Sequence, residues 1–236
     1  MQTAVDIRNR WALVTGASRG IGRHVARALA ERGCNLVLHS RAREHTAQRE
    51  VELRALGVEV CSVAAELSEQ SQVERLIAEA LERSGGIDIL FNNAAVMTPY
   101  RDDFARTPAD EYRLSFEVNV LSAIRLTFGL LPHMRAQRWG RIVQVTSGIA
   151  GEPQLLPYAL SKAALDKFVR DTVPQLYGSG VLMNLLDPGW LRTDLGGPNA
   201  PNPVESVLPG ALAPVLIDGE VHGVLFRAQD ARHNSP

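Results

Sequence analysis

The chain has 236 residues, 45% hydrophobic and 22% charged, with 25 Lys plus Arg against 26 Asp plus Glu. That size and balance describe one globular domain with a full apolar core, and a net charge of -1 lacks the basic excess of a nucleic-acid binder. No run approaches the ~18 consecutive apolar residues of a membrane span, residues 1–10 carry no apolar leader, and Cys34 and Cys61 are too few for a disulfide framework. A reducing, cytoplasmic setting is expected.

Apolar strand-like runs alternate with amphipathic stretches throughout the chain. Residues 11–15 read as a first strand and 21–32 as a helix; 36–38 as a second strand and 44–56 as a helix; 58–63 as a third strand and 73–83 as a helix. A fourth strand at 87–91 precedes a long helix at 109–137. A fifth strand at 141–145, a helix at 158–177, a sixth strand at 181–186 and a last strand at 223–226 complete the series. Near-continuous apolar strands separated by helices predict βαβ units around a buried parallel sheet. The expectation is a single α/β domain over residues 1–236, a Rossmann-type doubly wound sheet with helices on both faces. Residues 196–210 hold three Gly, four Pro and two Asn, a composition that argues against a regular element and predicts a flexible substrate lid near 190–215.

Directly after the first strand comes Thr15-Gly16-Ala17-Ser18-Arg19-Gly20-Ile21-Gly22, which runs into a helix. Gly16 allows a tight turn, while Gly20 and Gly22 let a pyrophosphate approach the helix N-terminus, where free N–H groups favour an anion. The spacing is G-x-x-x-G-x-G and not the general G-x-G-x-x-G. An NAD site needs an acid at the end of the second strand to read the ribose 2′-hydroxyl, about 20 residues on. Here the stretch is Leu38-His39-Ser40-Arg41-Ala42-Arg43, with no acid before Glu44. Arg41 and Arg19 are placed to hold a 2′-phosphate by charge-assisted contacts, so the cofactor expected is NADP(H).

Only Lys162 and Lys167 are lysines; the other 23 basic residues are arginines. Four tyrosines and two lysines give a chance expectation of about 0.03 Tyr-x-x-x-Lys motifs, yet the chain contains Tyr158-Ala159-Leu160-Ser161-Lys162. Four residues apart on a helix share a face. An ammonium near the phenol would pull its pKa down, and a tyrosine so tuned can pass a proton to or from an oxygen.

With these motifs, Asn92-Asn93-Ala94-Ala95, Asn119, Ser147 and Pro188-Gly189-Trp190-Leu191-Arg192-Thr193, the chain resembles the short-chain dehydrogenase/reductase family in its compact form. The resemblance covers nearly the whole chain and implies about seven parallel strands with a nicotinamide cofactor. It implies that Tyr158 is the general acid in reduction and the base in oxidation. It implies that Lys162 holds the nicotinamide ribose, that Ser147 bonds the substrate carbonyl, and that Asn119 anchors a water linked to Lys162. Gly16, Ser18, Arg19, Gly20, Ile21, Gly22, Ser40 and Arg41 would hold the phosphates and ribose. Glu66 and Leu67 would meet the adenine, Asn93 and Ala94 would line the adenosine side, and Pro188, Gly189, Leu191 and Thr193 would orient the carboxamide.

Three departures from the family pattern stand out. Ala95 replaces glycine, so that turn must use an ordinary conformation. Glu66 replaces the usual Asp. Only 11 residues separate Ser147 from Tyr158, which leaves both Thr146 and Ser147 as candidates to face the substrate, with Ser147 preferred. Pro174 is expected to kink the end of its helix.

The six histidines have no metal-ligand spacing and read as surface or edge residues. Trp190 is a candidate wall of the substrate site, and Val96, Met97, Leu155 and Leu156 an apolar pocket. Arg101 and Arg192 are candidates for an acidic substrate group, though solvation is the plainer reading. The stretch from Pro188 to Ala200 looks most like carbonyl-reductase-type members of the family. The expected activity is NADPH-dependent interconversion of a ketone or aldehyde and its alcohol, in a homodimer or homotetramer, with no nucleic-acid or membrane partner. The alternatives are a 3-oxoacyl-thioester (acyl-carrier) reductase and an NADP(H)-sensing regulator without turnover.

Overall fold

Ala12, Leu13 and Val14 are fully buried, as are Leu36, Val37, Leu38, Ile89, Leu90 and Phe91. Strands that are apolar on both sides need cover on both faces, which helices joined in βαβ units provide. The computed structural model describes residues 5–232, with side chains through Asp230; His233 lies outside them. In chain order the main elements are β1 (Trp11–Val14), α1 (Gly20–Ala30), β2 (Asn35–Ser40), α2 (Glu44–Arg54), β3 (Val60–Ala64), α3 (Gln70–Ser84) and β4 (Ile89–Asn92). They continue with α4 (Ala109–Phe116), α5 (Ser122–Ala136), β5 (Gly140–Val145), α6 (Leu156–Thr172), β6 (Val181–Asp187), β7 (Leu191–Arg192), β8 (Asn202–Pro203), α7 (Ala213–Leu216) and β9 (Leu225–Arg227).

Seven strands form one sheet in the order β3-β2-β1-β4-β5-β6-β9, all parallel. The order reverses between β1 and β4, and an open α/β sheet leaves its crevice at that point, beyond the strand C-termini. Val25 and Leu29 of α1, Leu53 of α2 and Val215 of α7 pack on one face. Leu76 of α3, Leu126 and Leu130 of α5 and Val169 of α6 pack on the other. Each fully buried Leu or Val contributes about 1.5–3 kcal/mol, so the two layers hold the sheet rigid beneath the crevice.

Two expectations change. The long helix is two α-helices joined by a π turn at Glu117–Leu121. The combined run Ala109–Ala136 is long and apolar enough to cross a bilayer, but 56% of its most apolar window is buried in the protein. Its apolar residues serve the core. Pro174 does not kink α6: the helix ends at Thr172 and Pro174 sits in the 3-10 turn Val173–Gln175. Proline lacks the N–H that another α-turn would need.

Candidate active site

The glycine turn links β1 to α1 and is braced from β4. Thr15 is buried, and its hydroxyl accepts the N–H groups of Asn93 (2.9 Å) and Ala94 (3.0 Å). The Asn93 amide donates to the carbonyls of Thr15 (2.9 Å) and Gly16 (3.3 Å). Gly16 has φ +66 and Gly20 φ +56, the left-handed region that favours glycine. A Cβ on Gly22 would lie 2.3 Å from the Gly16 carbonyl oxygen. The N-cap of α1, Arg19, makes no side-chain cap, and its first turn holds no acid, so its N–H groups and the helix dipole are open to an anion. A Cβ on Gly20 would meet Thr193 at 3.6 Å, which sets the turn and the loop after β6 opposite each other. These are the features a dinucleotide pyrophosphate requires.

The catalytic cluster forms where α6, the π turn and the end of β5 converge. Asn119 is buried; its Oδ1 accepts the Val96 N–H (2.8 Å), and its Nδ2 donates to the Val96 carbonyl (2.9 Å) and to Ser161 Oγ (2.9 Å). Ser161 in turn donates to the Tyr158 carbonyl (2.7 Å). Tyr158 lies in the first turn of α6, and Lys162 is one turn on. Thr146 is engaged with its hydroxyl donating to Asp166. Ser147 Oγ accepts the Ile149 N–H (3.2 Å) and lies close enough to the Tyr158 phenol to favour its ionised form.

Such an arrangement can suit a proton-handling tyrosine beside a dinucleotide. Residues 10–203 match the family model described as short chain dehydrogenase. The chain belongs to that family.

Among relatives, a bovine (Bos taurus) protein named dehydrogenase/reductase SDR family member 4 is 35% identical over 188 residues, 78% of this chain and 67% of that protein. A 3-oxoacyl (acyl-carrier-protein) reductase from Agrobacterium tumefaciens C58, solved with NADP bound, superposes with TM-score 0.83 at 27% identity. It covers 94% of this chain and 93% of that one. A xylitol dehydrogenase solved with NAD+ bound superposes equally well, TM-score 0.83 over 94% of this chain and 98% of that one, at 23% identity; that likeness is of fold alone.

Against this short-chain dehydrogenase frame, several side chains do other work than their sequence positions suggest. The spacing of Tyr158 and Lys162 predicts a lowered phenol pKa, but the phenol is raised: burial is the largest cause, the Ser147 hydrogen bond opposes it, and the Asp187 charge adds to it. Lys162 Nζ lies 5.6 Å from the Tyr158 ring centroid and donates to the Val145 carbonyl (2.7 Å), so the ammonium is anchored on β5. Burial also brings Lys162 down to about 8, partly offset by Asp166. Both Nδ2 hydrogens of Asn119 are spent on Val96 and Ser161, so its side chain braces the π turn. Asn93 likewise braces the glycine turn with its side chain.

At the adenosine end, Ser40 is buried and its hydroxyl donates to the Ala42 carbonyl (2.7 Å). Arg41 is exposed and makes no hydrogen bond or ion pair among the described residues. Arg19 is not free beside it; its guanidinium pairs with Asp194 at 2.7 Å across the crevice, with both side chains about two-thirds exposed. Glu66 accepts the Ser68 N–H (3.3 Å), and Leu67 is buried in the core.

His39 is the residue that the motifs did not mark. It is no surface histidine: its Nδ1 accepts the Gly16 N–H (3.3 Å) and its Nε2 faces the Ala65 carbonyl (3.1 Å). Its only sequence signal is a polar residue in an otherwise apolar central strand. Burial pushes it down to about 4, so it is neutral and ties the ends of β1, β2 and β3 together.

Segment 196–210 is tied rather than loose. Asn202–Pro203 pairs with Leu191–Arg192, and a 3-10 turn follows at Val204–Val207. Arg192 donates to the Ala200 (3.0 Å) and Pro201 (2.9 Å) carbonyls, and Trp190 donates to the Gly196 carbonyl (2.7 Å). Arg101 pairs with Glu111. Both candidate arginines are therefore engaged within the chain. A cavity of about 470 Å³ lined by Trp11, Arg54, Val60 and Arg83 lies at the N-terminal end of the strands, away from Tyr158.

Proposed function

We propose that this short-chain dehydrogenase is an NADP(H)-dependent reductase that interconverts a ketone or aldehyde and its alcohol. The observation that carries the reading is the end of β2, where no acid meets the ribose and the Arg41 guanidinium stands free. The Arg19–Asp194 pair is exposed, and such pairs are weak; a 2′-phosphate dianion can draw Arg19 from Asp194.

When bound, the nicotinamide supplies or accepts the hydride. The chain does the rest. Ser147 and Tyr158 are neighbours, so a carbonyl oxygen bound between them can accept from both hydroxyls. A phenol raised by burial remains protonated at neutral pH, as a donor to the developing alkoxide must be, which supports reduction as the working direction. Lys162, held by the Val145 carbonyl, keeps further N–H groups that can serve a ribose. Val96 and Met97 flank the crevice and are partly exposed, which suits an apolar substrate body.

The thioester reading keeps the same residues and differs only in substrate; the printed name of the Agrobacterium neighbour is its support. A sensor without turnover has no need of Ser147 beside the Tyr158 phenol. Leu114, Leu121 and Leu160 and the half-exposed Phe128 stand on α4, on α6 and along the π turn and α5; they support a homodimer or homotetramer, which light scattering would measure. Two free cysteines, Cys34 and Cys61, suit a reducing cytoplasm.

Titration with NADPH and with NADH, read by nicotinamide fluorescence, tests the cofactor. NADPH should bind more tightly, and Arg41→Ala should weaken NADPH roughly tenfold while sparing NADH. Equal affinities, or an Arg41 variant without effect, would sink the NADP(H) assignment.

A further inference from the structure

Asp187 ends β6 in the candidate crevice, and beyond the charge it adds near Tyr158 it has no assigned role. Side chains alternate along a strand, and Leu185 packs in the core layer that α6 covers; Asp187 therefore points to the same side, toward Tyr158. The adjoining Leu186 carbonyl accepts the Thr146 N–H at 2.8 Å, which sets Asp187 beside the Ser147 loop. Its Oδ1 accepts the Gly189 N–H at 2.9 Å, fixing the carboxylate. Its Oδ2 faces Gly148: a Cβ there would lie 2.8 Å away. Among the described residues Oδ2 has no hydrogen-bond donor and no ion-pair partner; Arg227, its register neighbour on β9, does not pair with it. A fixed, half-buried carboxylate oxygen thus stands beside the loop that carries Ser147, within electrostatic reach of Tyr158, and among the described residues it has nothing to accept from.

We propose that Asp187 determines the substrate class: Oδ2 accepts a hydrogen bond from a hydroxyl or ammonium group beside the reacting carbonyl. This rests on reading the crevice as a carbonyl-reducing site. An apolar neighbour would strip water from the carboxylate without replacing its hydrogen bond. A carboxylate neighbour would bring like charge against it. Hydroxy-ketones and amino-ketones are accepted, and 2-oxo acids are turned away.

Three aryl ketones that differ only beside the carbonyl test this: 2-hydroxyacetophenone, propiophenone and benzoylformate. The wild type should favour the hydroxyl compound over propiophenone by roughly tenfold or more in kcat/KM, with benzoylformate last. Asp187→Asn keeps the Oδ1 acceptor for Gly189 but removes the charge; the hydroxyl preference should shrink to about threefold or less and benzoylformate should gain on propiophenone. Asp187→Ser also caps the turn and should show the same collapse, which covers a poorly folded Asn variant.

Calorimetric binding of the three ketones to the protein–cofactor complex, formed with whichever nucleotide binds, gives the same order without turnover. Reduction failing while that order holds would refute the reductase reading alone. Ratios unchanged in both variants, no wild-type preference for the hydroxyl, or no binding of any of the three would overturn the role of Asp187.

Discussion

The two walls of the crevice are built differently. On the nucleotide side Thr15, His39, Asn93 and Ser40 spend their polar atoms on neighbouring backbone. On the substrate side Asp187 Oδ2 lacks a partner, and Trp190 is 59% exposed. A wall that receives an invariant ligand gains from being fixed before the ligand arrives, because the ordering cost falls on folding and not on binding. A wall that selects among substrates must leave polar groups unsatisfied until the right one arrives. Only Arg41 breaks the contrast, free on the fixed wall where a phosphate is expected.

Substitutions can break the contrast, and the largest effect should come from the point where the walls meet. Tyr158→Phe should lower turnover roughly 10²–10⁴-fold while the cofactor still binds in a fluorescence titration; full activity would remove Tyr158 from the chemistry. On the fixed wall, Gly22→Ala sets a methyl 2.3 Å from a backbone oxygen. Overpacking there should cost about 1–3 kcal/mol in a denaturant melt and weaken the cofactor as well; loss of affinity without loss of stability would mean that the wall is not a unit.

Acid sharpens the same point. His39 is depressed from 6.5 to about 4 in the fold, so the unfolded chain takes up a proton that the folded one refuses. The stabilising share of neutral His39 is present above pH 6.5 and is lost as pH falls toward 4. Thermal melts should show that decline in the wild type and a smaller one in His39→Asn, whose Oδ1 can accept the Gly16 N–H and which carries no group that titrates in that range. The smallest effect belongs to the other wall: Trp190→Ala should leave stability within about 0.5 kcal/mol and change substrate KM instead.

Much of this was legible in the chain. The strands β1, β2, β4, β5 and β6 follow from largely apolar runs, and the glycine turn and the Tyr158–Lys162 spacing marked the crevice. The rest depends on contacts between distant residues. The π turn around Asn119 has no local sequence rule, since it is stabilised by Val96, 23 residues away. Burial of Tyr158 decides the direction of its pKa, and helix spacing carries no burial. The anchoring of 196–210 depends on Trp190 and Arg192 donating to carbonyls, which Gly and Pro content does not reveal. His39 looked like any other polar residue until the ends of three strands met around it.

Val96 is a member of the site without a chemical identity. Asn119 grips it by the N–H and the carbonyl together, and through Ser161 that grip reaches the backbone of Tyr158. The grip itself asks nothing of the side chain at 96, only an N–H that proline lacks. Drift among apolar residues that still pack there could therefore rewrite this position while Tyr158 stayed where it is, and a search for preserved letters would pass over one of the residues that holds it.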